Sequence, residues 1–193
     1  PRTEVFPIVA VSKALKRMQR AEHVGKIVLN HPLPGGMVCT EPQFASVKEP
    51  PRAVIDDSGT YAITGGAGGL GLVFGEWLAR RGASRVVLVG RRERAGEAAA
   101  EAIDQIEREN TGTTVEYASA DVSDSAQIVT ALSRYRSELR GVLHCAGVIE
   151  DAAIARQDVD RLRRVFAPKV RGSWNLHNLL CGSAGAIFVL FSS

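Results

Sequence analysis

From residue 60 onward, short apolar runs alternate with longer amphipathic stretches. The runs at 60–64, 85–90, 114–119, 140–145 and 186–192 predict strands, and the stretches near 69–81, 94–109, 124–138 and 158–181 predict the helices between them. Val86-Val87-Leu88-Val89 and Ala186-Ile187-Phe188-Val189-Leu190-Phe191 contain no polar alternate. Such runs suit parallel strands covered on both faces, with the intervening helices as crossovers. The expected fold class is therefore α/β, a doubly wound parallel sheet over 59–193.

The front of the chain follows another pattern. Val11, Leu15 and Met18 recur at helical spacing, Gly25 closes that segment, and Lys26-Ile27-Val28-Leu29 reads as a strand. Residues 1–30 are thus a small helix-strand fragment of a separate domain. Pro32, Pro34, Pro42, Pro50 and Pro51 then interrupt any periodicity, and residues 31–58 read as a linker.

Charge and composition narrow the function. The net charge of +3 is uneven: residues 1–55 hold eight Lys/Arg against four Glu, and residues 56–193 hold 16 basic against 17 acidic side chains. No aromatic-basic interleaving accompanies the basic front, so a nucleic-acid partner is not expected. No apolar stretch approaches membrane-spanning length, and the first ten residues lack a signal-peptide core, so no membrane partner is expected either. Cys39, Cys145 and Cys181 have no metal-ligand spacing. No metal is expected, the cysteines read as reduced thiols of a cytoplasmic protein, and Cys145 and Cys181 read as small core residues.

The most informative segment is Thr64-Gly65-Gly66-Ala67-Gly68-Gly69-Leu70-Gly71, set between an apolar run and an amphipathic stretch. Glycines let the backbone approach a pyrophosphate, and the following helix aims unpaired N–H groups at the anion. The same glycines would also serve a plain flexible turn. Without a Gly-Lys-Ser/Thr ending, the segment is not a nucleoside-triphosphate loop.

About twenty residues further on, Gly90-Arg91-Arg92 ends the second strand. An acidic residue at this place holds the ribose 2′-hydroxyl of NAD, whereas arginine accommodates the 2′-phosphate of NADP. Arg91 and Arg92 therefore predict NADPH, against the alternative of a solvated arginine cluster opening a helix. Asp121-Val122 and Cys145-Ala146-Gly147 follow the third and fourth strands, at the edge where ligands bind in open α/β sheets. Asp121 competes with Ser123 and Asp124 as cap of the next helix. Residues 56–193 hold 15 arginines and a single lysine, Lys169. Its compact, tunable ammonium suggests a specific use, although a surface lysine on a long helix fits as well.

Taken together, the glycine turn, Gly-Arg-Arg, Asp-Val, His144-Cys145-Ala146-Gly147-Val148, Lys169-Val170-x-Gly172-x-Trp174-x-Leu176-His177 and Phe191-Ser192-Ser193 resemble the ketoreductase domain of modular polyketide synthases and animal-type fatty acid synthases. The resemblance runs from about Gly59 to the end and implies a Rossmann-like short-chain dehydrogenase/reductase fold, incomplete here. It implies reduction of a β-ketoacyl thioester by NADPH, with the acyl chain tethered to an acyl carrier protein among neighbouring synthase domains. Thr64, Gly65, Gly66, Gly68, Gly69, Leu70, Gly71, Arg91, Arg92, Asp121, Val122, Cys145, Ala146 and Gly147 would hold the cofactor. Ser193 matches the family serine that hydrogen-bonds the carbonyl, and Lys169 the lysine that assists the proton donor. The family tyrosine and asparagine would lie downstream of Ser193, so these residues alone are expected to reduce little or nothing.

Two further likenesses complete the picture. Ile149-Glu150-Asp151 resembles the Leu-Asp-Asp signature of ketoreductases that give the D-configured alcohol. Phe6-Pro7, Ala14-Leu15, Met18 and His23 to Leu29 resemble the C-terminal end of a medium-chain-type enoylreductase. The rival readings are a structural pseudo-reductase module and a stand-alone short-chain reductase of a small metabolite.

Overall fold

The computed structural model describes residues 3–30, 55–153, 156–181, 183 and 185–191. Two compact units divide at Arg52/Ala53. Most of the expected linker, residues 31–54, lies outside the described residues, as does Cys39. Ile55 packs into the core of the second unit.

In the first unit, β1 (Thr3–Pro7) and β2 (Lys26–Asn30) pair in parallel around α1 (Val11–Gln19). The strand before the helix was not legible, because Thr3 to Pro7 is too short and too mixed to show a period. The helix also presents another face than its apolar spacing suggests. Ala14 is buried, while Leu15 and Met18 stay exposed among the described residues. Arg17 donates two hydrogen bonds to the Glu4 carboxylate and ties the helix to β1.

The second unit is a five-stranded, all-parallel sheet of β3 (Thr60–Thr64), β4 (Arg85–Gly90), β5 (Thr114–Ser119), β6 (Leu139–His144) and β7 (Ile187–Leu190). Spatial order is β5-β4-β3-β6-β7. The chain therefore builds outward from β3 in one direction, then returns to pair β6 on its other side. That reversal makes β3/β6 the topological switch point, where open α/β sheets bind their ligands.

Alternate side chains of the strands feed two cores. Tyr61, Ile63, Val86 and Leu88 pack with Leu78 and Ala79 of α2 (Gly69–Arg80) and Ile106 of α3 (Glu97–Glu109). Ala62, Val87 and Val89 pack on the opposite face with Ile128 and Leu132 of α4 (Ser125–Leu132) and with Leu176, Leu179 and Leu180 of α6 (Ser173–Leu180). Continuous apolar runs are thus read from both sides, as the strand pattern requires.

Three helices differ from their expected bounds for local reasons. Helix α3 begins at Glu97 rather than 94, after an extended Gly96 cap, which leaves Arg91 to Arg94 in a loop. Helix α4 ends at Leu132 in a 3₁₀ turn, where Tyr135 is buried and donates to Glu116 on β5. The long stretch after 158 is helical throughout but not uniform. An α-helix, α5 (Val159–Phe166), passes into a π segment at Ala167–Gly172 before α6. Pro168 accounts for that change, since it supplies no N–H and its ring crowds the preceding turn.

Leu88 is fully buried beneath the glycine turn. Replacing it with alanine should lower the unfolding free energy by about 2–5 kcal/mol, measured by urea denaturation. A loss below about 1 kcal/mol would contradict the packing described.

Candidate functional site

The carboxyl ends of the strands open on a cleft of about 920 Å³. Gly65, Gly68, Arg91, Arg92, Asp121, Val122, Cys145, Ala146 and Gly147 line it, so residues spread over 83 positions of sequence meet along one sheet edge. Glu150, Arg164, Ala167 and Pro168 also line it.

The glycines of the turn divide into two groups. Gly65 has φ of +68°, and a Cβ there would lie 2.8 Å from the Ala146 nitrogen. A Cβ on Gly66 would meet Leu88 at 2.7 Å, and one on Gly71 would meet the Gly66 Cα at 2.5 Å. These three are needed for the turn to close. Gly69, by contrast, has nothing within 4 Å, and Gly68 meets only the Gly65 carbonyl, at 3.2 Å. Among the described residues, open space thus lies over the start of α2, and no side chain caps the helix. The backbone N–H groups of Gly69, Leu70 and Gly71 have no intrahelical acceptor, so the residues fit an anionic group such as a diphosphate.

Hydrogen bonds hold the surrounding turns. The Gly66 N–H donates to Val89, and the Cys145 N–H donates to Thr64, each across neighbouring strand ends. Asp121 accepts from the Ser123 N–H and hydroxyl through Oδ1, while Asn175 of α6 donates to the Val122 carbonyl. The competition for the α4 cap is resolved by geometry. Asp124 accepts from the N–H groups of Ala126 and Gln127, and this holds its carboxyl below the ordinary range. Asp121 remains at the cleft.

One buried side chain joins both halves of the site. His144 ends β6 opposite Thr64 of β3 and is 1% exposed. Its Nε2–H donates to the Pro168 carbonyl at 2.9 Å, so Nδ1 is the acceptor for the Thr64 hydroxyl at 2.5 Å. Burial pushes the imidazole below its usual pKa, and the nearby Lys169 charge acts in the same direction against the Pro168 hydrogen bond.

Lys169 follows in the π segment. Its ammonium donates to the Phe191 carbonyl at 2.6 Å and lies beside Gly147, where a Cβ would stand 3.2 Å from Lys169 Cε. Ser192 and Ser193 are outside the described residues. The lysine therefore reaches the backbone just past the carboxyl end of β7.

A model of the KR domain matches residues 59–193. The chain belongs to the KR domain family. Its relatives include the phthioceranic/hydroxyphthioceranic acid synthase of Mycobacterium tuberculosis H37Rv, 36% identical over the whole chain. The squalestatin hexaketide synthase of a Phoma species is 37% identical over 99% of the chain. The chain spans only 9% and 7% of those two proteins. Among solved structures, the first ketoreductase of the tylosin polyketide synthase is similar at 34% identity, with a TM-score of 0.64 over 70% of this chain and 29% of that one. The KR domain thus has homologues in polyketide synthases and a short-chain dehydrogenase/reductase fold, and domains of this family are nicotinamide-dependent oxidoreductases.

Sequence reasoning missed Tyr117, Arg164 and Pro168 of the KR domain's cleft, and named Ser123 only as a cap candidate and Glu150 only within a stereochemical signature. It quoted His144 only as part of a motif, since nothing marks an 80-residue contact with Thr64. Arg164 donates from Nε and Nη2 to the Glu150 carboxylate, at 2.5 and 2.7 Å, and holds that carboxyl low. The two cysteines expected in the core behave otherwise. Cys145 is half-buried at the cleft, and Cys181 is exposed because it falls just beyond the end of α6.

The depressed pKa of His144 has a direct consequence for stability. The unfolded chain binds the histidine proton near pH 6.5, more tightly than the folded KR domain does. The associated stabilisation is complete above that pH and is lost as pH falls toward the lowered folded value. Urea midpoints should therefore drop between about pH 7 and pH 5.5, with a flatter profile for His144→Gln, which keeps a donor and an acceptor but has no titrating ring. Equal slopes would show that His144 is not held neutral.

Proposed function

We propose that the KR domain reduces the β-keto group of an acyl thioester tethered to an acyl carrier protein, using NADPH, within a cytoplasmic polyketide-type synthase. What supports the reading is that the glycine turn, two arginines, the Asp121-Val122 turn and Lys169 converge on one sheet edge. Bound NADPH supplies a hydride to the carbonyl carbon. The chain's own residues hold and orient the two partners.

The free N–H groups from Gly69 to Gly71, with Gly65, Gly66 and Gly68 shaping the approach, bind the diphosphate. Thr64 acts structurally, through His144. Arg91 and Arg92, exposed at the cleft rim, bind the 2′-phosphate. Asp121 and Val122 border the adenine, and the small Cys145, Ala146 and Gly147 leave room for the nicotinamide half. Ser193 donates a hydrogen bond to the substrate carbonyl oxygen. Lys169 favours ionisation of the group that delivers a proton to that oxygen.

The first unit is read as the C-terminal end of an enoylreductase domain, with residues 31–58 as linker and 59–193 as the cofactor-binding part of the ketoreductase. The alignment of relatives over the entire chain, front included, supports a multidomain setting.

The test is an assay of the full-length protein with a β-ketoacyl thioester, following NADPH oxidation. Arg91→Ala should weaken NADPH binding about tenfold or more, the scale of one charged hydrogen bond, with less effect on NADH. Lys169→Ala should lower kcat on the order of a hundredfold. Absence of NADPH-dependent turnover in the wild type, or preference for NADH, would refute the reading.

A further inference from the structure

Tyr117 belongs to none of the motifs that place the cofactor, yet its ring lines the cleft. It sits on β5 opposite Leu88 of β4, and its hydroxyl donates to the Arg92 carbonyl at 3.0 Å. Among the described residues, no backbone–backbone hydrogen bond outside the regular elements involves Arg91 to Ala95. The Tyr117 bond is what ties this loop to the sheet.

Gly90 is fitted to the same contact. A Cβ on this last residue of β4 would stand 2.6 Å from Tyr117 Oη and 3.3 Å from the ring. The strand end is therefore left bare where the phenol passes beneath the arginine loop. Burial pushes the Tyr117 phenol above its ordinary pKa, so it stays a donor at working pH.

We propose that Tyr117 is a positioning residue for coenzyme choice, fixing the Arg92 carbonyl so that the guanidinium groups of Arg91 and Arg92 face the 2′-phosphate. This rests on the NADPH reading above. An arginine on an untethered loop offers the same charge but must lose more conformational freedom on binding, and that loss falls on the phosphorylated coenzyme alone. Tyr117 thereby acts on the ratio of affinities rather than on binding as a whole.

The experiment is fluorescence titration of the full-length protein with NADPH and with NADH, repeated by competition with adenosine 2′,5′-bisphosphate and with AMP. Tyr117→Phe should reduce the NADPH-to-NADH affinity ratio about three- to tenfold, the scale of one hydrogen bond, with the same loss in the adenosine pair. Gly90→Ser, which displaces the hydroxyl but keeps the ring, should reproduce it. An unchanged ratio in both variants, or equal weakening of both coenzymes, overturns the role of Tyr117 even if the wild type prefers NADPH. A wild type without preference would instead sink the NADPH reading, and this inference with it.

Discussion

The buried imidazole of His144 closes the seam between β3 and β6 at the one place where a doubly wound sheet opens. Its two nitrogens are committed in opposite directions, one to the hydroxyl that begins the glycine turn and the other to the carbonyl before Lys169. A buried polar ring is tolerated because both groups are satisfied, and leaving either unpaired would carry the full cost of desolvation. The glycine turn and the lysine are therefore set by one side chain. Neither can shift without breaking a bond at the switch point.

Pro168 gives that link its second function. Lacking an N–H, it interrupts the regular ladder, and in the resulting π segment its own carbonyl accepts the hydrogen bond from His144 Nε2–H. Lys169 then reaches the Phe191 carbonyl. A uniform α-helix through this stretch would change the angular position of every residue after Phe166. Small residues elsewhere play the complementary part: Gly172 leaves space for Val122, and Gly147 for the lysine stem.

Much of this was legible in the chain. All five strands of the sheet unit appear where apolar-rich runs stand; the signal is unbroken from Val86 to Val89 of the buried β4, but not in the edge strand β5, which carries Glu116. The turn from Thr64 to Gly71 showed itself by the density of glycine between a strand and a helix. Boundaries were less legible where a single contact decides them. Gly96 delays α3, the burial of Tyr135 tightens the end of α4, and the outward Leu15 and Met18 on α1 show that apolar spacing names a face without saying which partner covers it.

Local order alone carried the elements of the sheet unit, the parallel class and the place of the glycine turn, since each follows from backbone sterics and periodicity over a few neighbouring residues. Tertiary contact decided the rest. That Thr64 would meet His144 and that Tyr117 would reach the Arg92 carbonyl depend on strand order and register. Those long-range pairings are set by packing of the whole sheet, and no short stretch of sequence encodes them.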